Sequence, residues 1–416
     1  MKWNSFLKNI GIYTLSNVLN AAIPFILLPV LTQQLSTTDY GIISNYNALI
    51  NVMIPFIGLN LMAALQVVYV KDKNEIGSYI SSGLFLNLLL TCFFTLLLFL
   101  FKDKLETITG IPSSFIVLTA VYATYNNIVE VILSFWRMED KAIHYGIFRV
   151  GRTILELTIA LILILVYDFK FEGSILAISY AYGIGALLAL IILIKRKIVT
   201  FQIKKEHIQH LFAYGAPLIP HVLGSVIIMY SDKLMLSAMI GVSTNGIYSV
   251  GFMVGQVIGM LQNSFNQAWV PWVYKTLKSE SEQGKEQLVK YTYIYFIGIL
   301  LLVFVLWLIT PIIYHFIGKS FSSGMVLVLW ISLGFAFNGM YKMVSVYFFY
   351  LEKTKQLAYV TILVSLLNIL LNYLWIPVFG FEGAAFATMT SMLVQFLVTW
   401  LWSTKFIKLP WLLKDN

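Results

Sequence analysis

Apolar residues dominate this chain in long runs, and the runs repeat at a spacing that only a membrane explains. A helix needs roughly 20 apolar residues to cross about 30 Å of hydrocarbon. Segments of that kind occupy residues 10–32, 41–65, 80–101, 115–136, 146–167 and 173–194, and then 212–240, 247–274, 291–313, 324–350, 358–378 and 384–404. The pattern predicts an all-α polytopic membrane protein of about twelve transmembrane helices, six in each half. The stretches between them are short. The longest, at 195–211 and 275–290, are rich in Lys and too brief to fold alone. The first falls near the midpoint of the 416 residues and divides the chain into six-helix lobes, 1–207 and 208–416.

Composition agrees. Hydrophobic residues make up 59% of the chain and charged ones only 11%, against about 25% charged in an ordinary soluble domain. The single cysteine, Cys92, excludes a disulfide framework and a Cys-based metal site. The N-terminus carries Lys2 and Lys8 but no small-residue cleavage site, so its apolar segment reads as the first span rather than a signal peptide. A net charge of +9 would admit nucleic acid as a partner, but its distribution argues otherwise. With the N-terminus placed inside, 22 of the 28 Lys and Arg fall on the cytoplasmic side. Only 4 fall outside, and Lys233 and Lys342 within helices, with Arg149 and Arg152 counted on the cytoplasmic side. That is the positive-inside pattern, and it predicts cytoplasmic termini.

The halves also resemble each other. FKFEG at 169–173 recurs as FGFEG at 379–383, a shift of 210 residues. LSTTDYGIIS from Leu35 pairs with IGVSTNGIYS from Ile240, a shift of 205. Six spans separate the copies, so both halves start from the same side, which makes the repeat parallel. Transporters use such repeats to rock two lobes about a central site.

Seven formal charges lie within the spans: Glu130, Arg149, Arg152, Glu156, Asp232, Lys233 and Lys342. At about 2.5–3.5 kcal/mol each at mid-bilayer, seven facing lipid would cost on the order of 20 kcal/mol, more than a typical fold's net stability. They are therefore expected to face one another or water. Arg149, Arg152 and Glu156 share one helix face, and Glu130 on the preceding span lies at a depth to pair with either arginine. Asp232 and Lys233, as neighbours, point about 100° apart, so each is expected to find its own partner. Polar stripes comprise Asn17 and Asn20 on the first span, Asn47 and Asn51 on the second, and Gln256, Asn263 and Gln267 on the eighth. Asn338, Lys342 and Ser345 mark the tenth, and Ser365, Asn368 and Asn372 the eleventh. The third and ninth spans are almost wholly apolar, so the polar helices are expected to surround a cavity. Interhelical hydrogen bonding is the plain alternative for each amide. Pro24 and Pro29 are expected to interrupt the first span, and Pro217 and Pro220 the seventh.

Three strings resemble one family. TILVSLLNILLNYLWIPVFGFEGAAFATMTS from Thr361, YGAPLIPHVLGSVIIMYSDKLMLSAMIGVSTNGIYSVG from Tyr214 and LTQQLSTTDYGII from Leu31 resemble the polysaccharide, or O-antigen, flippases of the multidrug/oligosaccharidyl-lipid/polysaccharide exporter superfamily. The resemblance spans essentially the whole chain. It implies a bacterial inner-membrane protein that turns an undecaprenyl-diphosphate-linked glycan from the cytoplasmic to the outer leaflet, in O-antigen, capsule or lipopolysaccharide biosynthesis. It also implies polymerase and chain-length machinery as partners. Arg149, Arg152, Lys233 and Lys342 are then the expected diphosphate ligands, with Asn17, Asn51, Asn263 and Gln267 offering amides to the sugar. Glu130, Glu156 and Asp232 are candidates for ion coupling or gating. Family members often carry cations in the first two spans; this chain carries none there.

Two rival readings stand beside it. A drug antiporter of the same superfamily would couple a cation or proton to a carboxylate such as Asp232 or Glu156. A membrane polymerase or glycosyltransferase would need a large external loop with acid/base or metal chemistry, and no such loop or metal-spaced His group exists. No GxxxxGK[ST] motif occurs, so no nucleotide cofactor is expected, and a proton or sodium gradient is the drive left open.

Overall fold

The computed structural model describes residues 3–71, 73–279 and 281–411, and among them the chain is helical with no strand. The helices run α1 (Trp3–Gln34), α2 (Thr37–Gly58), α3 (Leu61–Lys71), α4 (Ile76–Thr109), α5 (Ser113–Ile116), α6 (Leu118–Met138), α7 (Ala142–Leu165) and α8 (Lys170–Lys195). They continue with α9 (Lys205–Gly215), α10 (Ile219–Met239), α11 (Val242–Gly255), α12 (Val257–Lys278), α13 (Glu282–Phe316), α14 (Leu327–Tyr350), α15 (Thr354–Phe379) and α16 (Phe381–Ser403). Ten of these helical stretches are long and apolar enough to cross a membrane. The protein is a multi-pass membrane protein.

Two of the twelve expected spans fall short of that test, for physical reasons visible in their sequences. The fifth, α7, carries Arg149, Arg152 and Glu156 in its middle. The eighth is divided at Gln256 into α11, only 14 residues long, and the amide-rich α12. At 1.5 Å per residue α11 reaches only about 21 Å.

The second span breaks just after Gly58, inside a long apolar run. Leu59 and Asn60 both adopt left-handed backbone, at φ 44° and 50°, and separate α2 from α3. The Leu59 amide still donates to the Pro55 carbonyl at 3.2 Å and closes the helix end. The expected interruption at Pro24 and Pro29 does not occur: α1 runs through both. Each proline removes one backbone hydrogen bond, and the remaining ladder carries the helix past it. Pro217 occupies a 3₁₀ turn before α10, and Pro220 lies in the first turn of α10, where its missing amide costs nothing.

Contacts group the chain into two compact units, Met1–Val226 and Ile227–Asn416, divided within α10. In the first unit Leu61, Leu65, Ile80, Val131, Ile132, Ala189 and Leu193 form a dry core contributed by α3, α4, α6 and α8, with α7 packed against α1 and α8. In the second, α14 is the central helix, packed on α11, α12, α13 and α16. Gly251, Gly255 and Gly259 form a bare stripe at four-residue spacing along α11 and α12. A Cβ on Gly251 would stand 2.6 Å from the Gly324 carbonyl, and one on Gly255 2.7 Å from Ile331. Small residues at this spacing let two helices approach closely in a membrane protein.

The repeated strings start equivalent helices. Ser36 caps α2: its hydroxyl accepts from the Asp39 amide at 3.1 Å, while the Asp39 carboxylate accepts from the Ser36 amide at 2.9 Å. The second copy leads into α11 through Gly241, at φ 142°. The two FxFEG strings open α8 and α16, placing Glu172 and Glu382 in the first turns. There the carboxylates meet the positive end of the helix dipole.

Candidate functional site

In the first unit the polar groups gather on α7. Arg152 is well enclosed there, with 9% of its side chain exposed. Its Nη1 donates to Glu156 Oε2 at 2.8 Å, one turn along the same face, and its Nη2 donates to Thr153 Oγ1 at 3.2 Å. The guanidinium lies 3.8 Å from the centre of the Tyr182 ring on α8. Thr153 in turn donates to Asn20 Oδ1 on α1 at 2.5 Å. A turn earlier, Arg149 donates to the Tyr145 hydroxyl, which donates to Asn17 Oδ1 at 3.1 Å. The polar stripe of α1 therefore meets the charged stripe of α7 through Tyr145 and Thr153.

Glu130 does not join the arginines of α7. It pairs instead with Arg137 on its own helix, at 3.7 Å, and Arg137 also donates to Ser134 at 2.7 Å. This pairing has a geometric cause. Glu130 and Arg137 are two turns apart on one face of α6, and Glu156 lies a single turn from Arg152 and reaches it first. Tyr145 and Arg137 carry no mark in the sequence pattern, yet they organise this region. The guanidinium groups of Arg137 and Arg149 lie 5.7 Å and 5.6 Å from the Tyr145 ring centre, and Tyr13 packs edge-on against it at 5.1 Å. The four-residue spacing of Tyr145 and Arg149 was the available signal. Asn51 stays apart, donating to the Asn47 carbonyl of its own helix at 2.8 Å.

In the second unit Asp232 is fully buried. Its carboxylate accepts the Lys233 amide at 2.8 Å, the Tyr248 hydroxyl from α11, and the Thr388 hydroxyl from α16 at 3.4 Å. The Lys233 side chain turns the other way, its ammonium 3.9 Å from the Phe252 ring centre and 4.6 Å from that of Tyr230. Cation–π attraction there takes the place of a carboxylate. Lys342 on α14 donates to Asn263 Oδ1 on α12, and beside them Gln262 donates to Asn338 Oδ1 at 3.0 Å. Gln267 is exposed on α12. The amides of α15 serve its packing: Asn368 accepts from Ser231 at 2.8 Å and from Asn372 at 3.1 Å, and donates to Ser391 at 3.3 Å.

A sequence model of the family described as "polysaccharide biosynthesis protein" matches residues 6–277. The chain belongs to this family. Among its relatives, an uncharacterized membrane protein of Haemophilus influenzae is 25% identical over 373 residues, covering 87% of this chain and 88% of that one. Lsg locus putative protein 1 of the same organism is 19% identical over 369 residues, covering 87% and 89%. Among solved structures, a multidrug resistance MATE family transporter of the MOP superfamily, inward-facing, superposes with a TM-score of 0.77 at 16% identity, covering 94% of each chain. The lipid II flippase MurJ, in an inward closed conformation, gives 0.70 at 16% identity, covering 96% of this chain and 86% of that one. These likenesses show that this polysaccharide biosynthesis family member has the fold shared by those transporters.

Proposed function

We propose that this protein translocates an undecaprenyl-diphosphate-linked oligosaccharide, an O-antigen, capsule or exopolysaccharide repeat unit, from the cytoplasmic to the outer leaflet. It works by alternating access of six-helix lobes 1–207 and 208–416, in a bacterial inner membrane, with both termini in the cytoplasm. Family membership supports the substrate class. The observation that carries the mechanism is the state of Arg149. It is half-buried in the middle of α7, and its hydrogen bond goes to a neutral phenol. Among the described residues it makes no ion pair. A guanidinium in such a place needs an anion, and a diphosphate offers one in the geometry that Arg binds best.

Lys342 is in the same condition, with the neutral Asn263 as its partner. Arg149 and Lys342 are the two cations we assign to direct diphosphate contact. Arg152 and Lys233 add to the positive field, the first already compensated by Glu156. Asn17, Asn51, Asn263 and Gln267 offer amide groups to the glycan. Glu130, Glu156 and Asp232 are assigned to coupling or gating, with a proton or sodium gradient as the drive. Asp232, fully buried among three donors, also favours a second reading as a cation-coupled antiporter of small molecules.

The test is complementation in a bacterium lacking its own glycan flippase, supplied with the matching sugar-assembly enzymes. Surface glycan is expected with the intact chain and is expected to be lost with Arg149→Gln in protein that inserts normally. Full transport by the Arg149→Gln, Lys342→Gln double variant would sink the diphosphate assignment. Lipid-linked glycan trapped inside, together with gradient-driven drug efflux in vesicles, would favour the antiporter.

A further inference from the structure

Between α8 and α10 the chain forms a strap with two unlike sides. Its inner side is fastened to the start of α4. The Phe201 amide donates to Ser81 Oγ at 3.2 Å and the Lys204 amide to Ser82 Oγ at 3.0 Å. The Lys204 ammonium pairs with Glu75, which also lies 3.4 Å from His207. On α9 the His210 ring meets the Tyr79 hydroxyl at 2.7 Å, and Leu211 is buried in the core of the first unit. Upstream, Arg196 donates twice to the Glu139 carboxylate at 2.8 Å. Gly215 closes the strap: a Cβ there would stand 2.0 Å from the Leu59 carbonyl.

The outer side is apolar and basic. Phe201 is 72% exposed, Ile203 50% and Phe212 45%. Phe201 also holds a left-handed backbone at φ 57°, a conformation bulky side chains rarely adopt. The inner fastenings impose it, and its result is a phenyl ring held away from the protein. The same stretch carries Lys195, Lys197 and Lys205, all exposed and without an ion pair among the described residues. Across 195–215 the chain carries five cations and one carboxylate, Glu206.

A surface with protruding rings, an aliphatic side chain and unpaired ammonium groups fits one environment, the boundary between acyl chains and anionic headgroups. There the rings leave water while the ammonium groups meet phosphate. We propose that residues 195–212 are an interfacial strap that binds anionic phospholipid, inserting Phe201, Ile203 and Phe212 and presenting Lys195, Lys197 and Lys205 to the headgroups. Charge complementarity selects anionic lipid over a zwitterionic surface, since each lysine near such a surface strengthens association about fivefold.

The full-length protein tests this with Cys92→Ser and Gln202→Cys carrying a bimane fluorophore, in nanodiscs with or without phosphatidylglycerol. Headgroup-proximal spin-labelled lipid is expected to quench the fluorophore several-fold more when phosphatidylglycerol is present. Iodide in the water is expected to quench it less. Phe201→Ser with Ile203→Ser should abolish the lipid quenching, and Lys195→Gln, Lys197→Gln and Lys205→Gln together should remove its dependence on phosphatidylglycerol. A second fluorophore at the exposed Leu100 of α4, quenched by lipid in every variant, verifies that the protein is inserted. Equal iodide quenching in both lipids, or protection from both quenchers because a second copy covers the strap, overturns the proposal. The readout does not involve transport, so failure here leaves the flippase reading standing.

Discussion

Removing the carboxylate of Glu156 while keeping its shape should destabilise the first unit more than removing the whole ion pair. In the wild type Arg152 Nη1 and Glu156 Oε2 stand 2.8 Å apart, with 9% and 24% of the two side chains exposed. Glu156→Gln leaves a guanidinium enclosed by Thr153 and the Tyr182 ring with no negative partner. Breaking one side of a buried pair costs roughly 3–5 kcal/mol. The residual exposure of Glu156 places this case at about 3 kcal/mol. For a cooperative unit of more than 200 residues, about 2 °C per kcal/mol gives a Tm fall of about 6 °C. Replacing both with methionine removes the stranded charge, so Arg152→Met, Glu156→Met should recover most of that loss. Tryptophan fluorescence melts of purified protein in detergent, run on Glu156→Gln, on the single variants Arg152→Met and Glu156→Met, and on their double, close the cycle. Simple additivity, with the double variant falling by the sum of the singles, would show that the pair is not coupled and that solvent, not Glu156, compensates Arg152.

Other outcomes follow from the same geometry. Gly251→Ala drives a methyl group against the Gly324 carbonyl and should cost about 1–3 kcal/mol, whereas Gly298→Ala, with open space around it, should be neutral in the same melts. Asp232→Asn keeps an acceptor for Tyr248 and Thr388 but removes the charge. It should abolish any dependence of transport on a proton or sodium gradient, measured in energised vesicles, while leaving substrate binding intact. On the strap, hydrogen bonds from Lys204 and then Ser78 hold the Glu75 carboxyl below its ordinary pKa of 4.5. A depressed carboxyl contributes stability above its unfolded pKa and loses it as pH falls through the folded one. Hydrogen exchange at 201–207 should therefore be slower in wild type than in Glu75→Gln at pH 7, with the difference shrinking as pH falls below 4.5.

The membrane class, the helices and the shared face of Arg149, Arg152 and Glu156 were readable because each depends on spacing along one helix. What the linear pattern misplaced depends on rotation and depth between helices. Glu130 could be given a plausible partner on α7, but only the azimuth of α6 decides that it turns to Arg137. The break at Leu59–Asn60 was misleading for another reason: Gly58 and Asn60 are the residues that usually end a helix, but the apolar run continues past them and leucine seldom accepts left-handed backbone. The amides of α15 read equally well as lumen lining or as packing. Burial resolved them, since Asn368 and Asn372 are wholly buried, Asn368 bonding Ser231 and Ser391 and accepting from Asn372.

The central position of α14 sets a timetable for making the protein. Its most extensive neighbour is α16, which the ribosome delivers more than thirty residues after α14 is complete. Until then α11, α12 and α13 have only one side of their hub, and the Lys342 ammonium and Asn338 amide enter the bilayer before the second unit is complete. The last span is thus the closing piece of the second unit. Ribosome-stalled chains ending before α16 should be held by the insertion machinery and recognised by quality control, and full-length chains should be released.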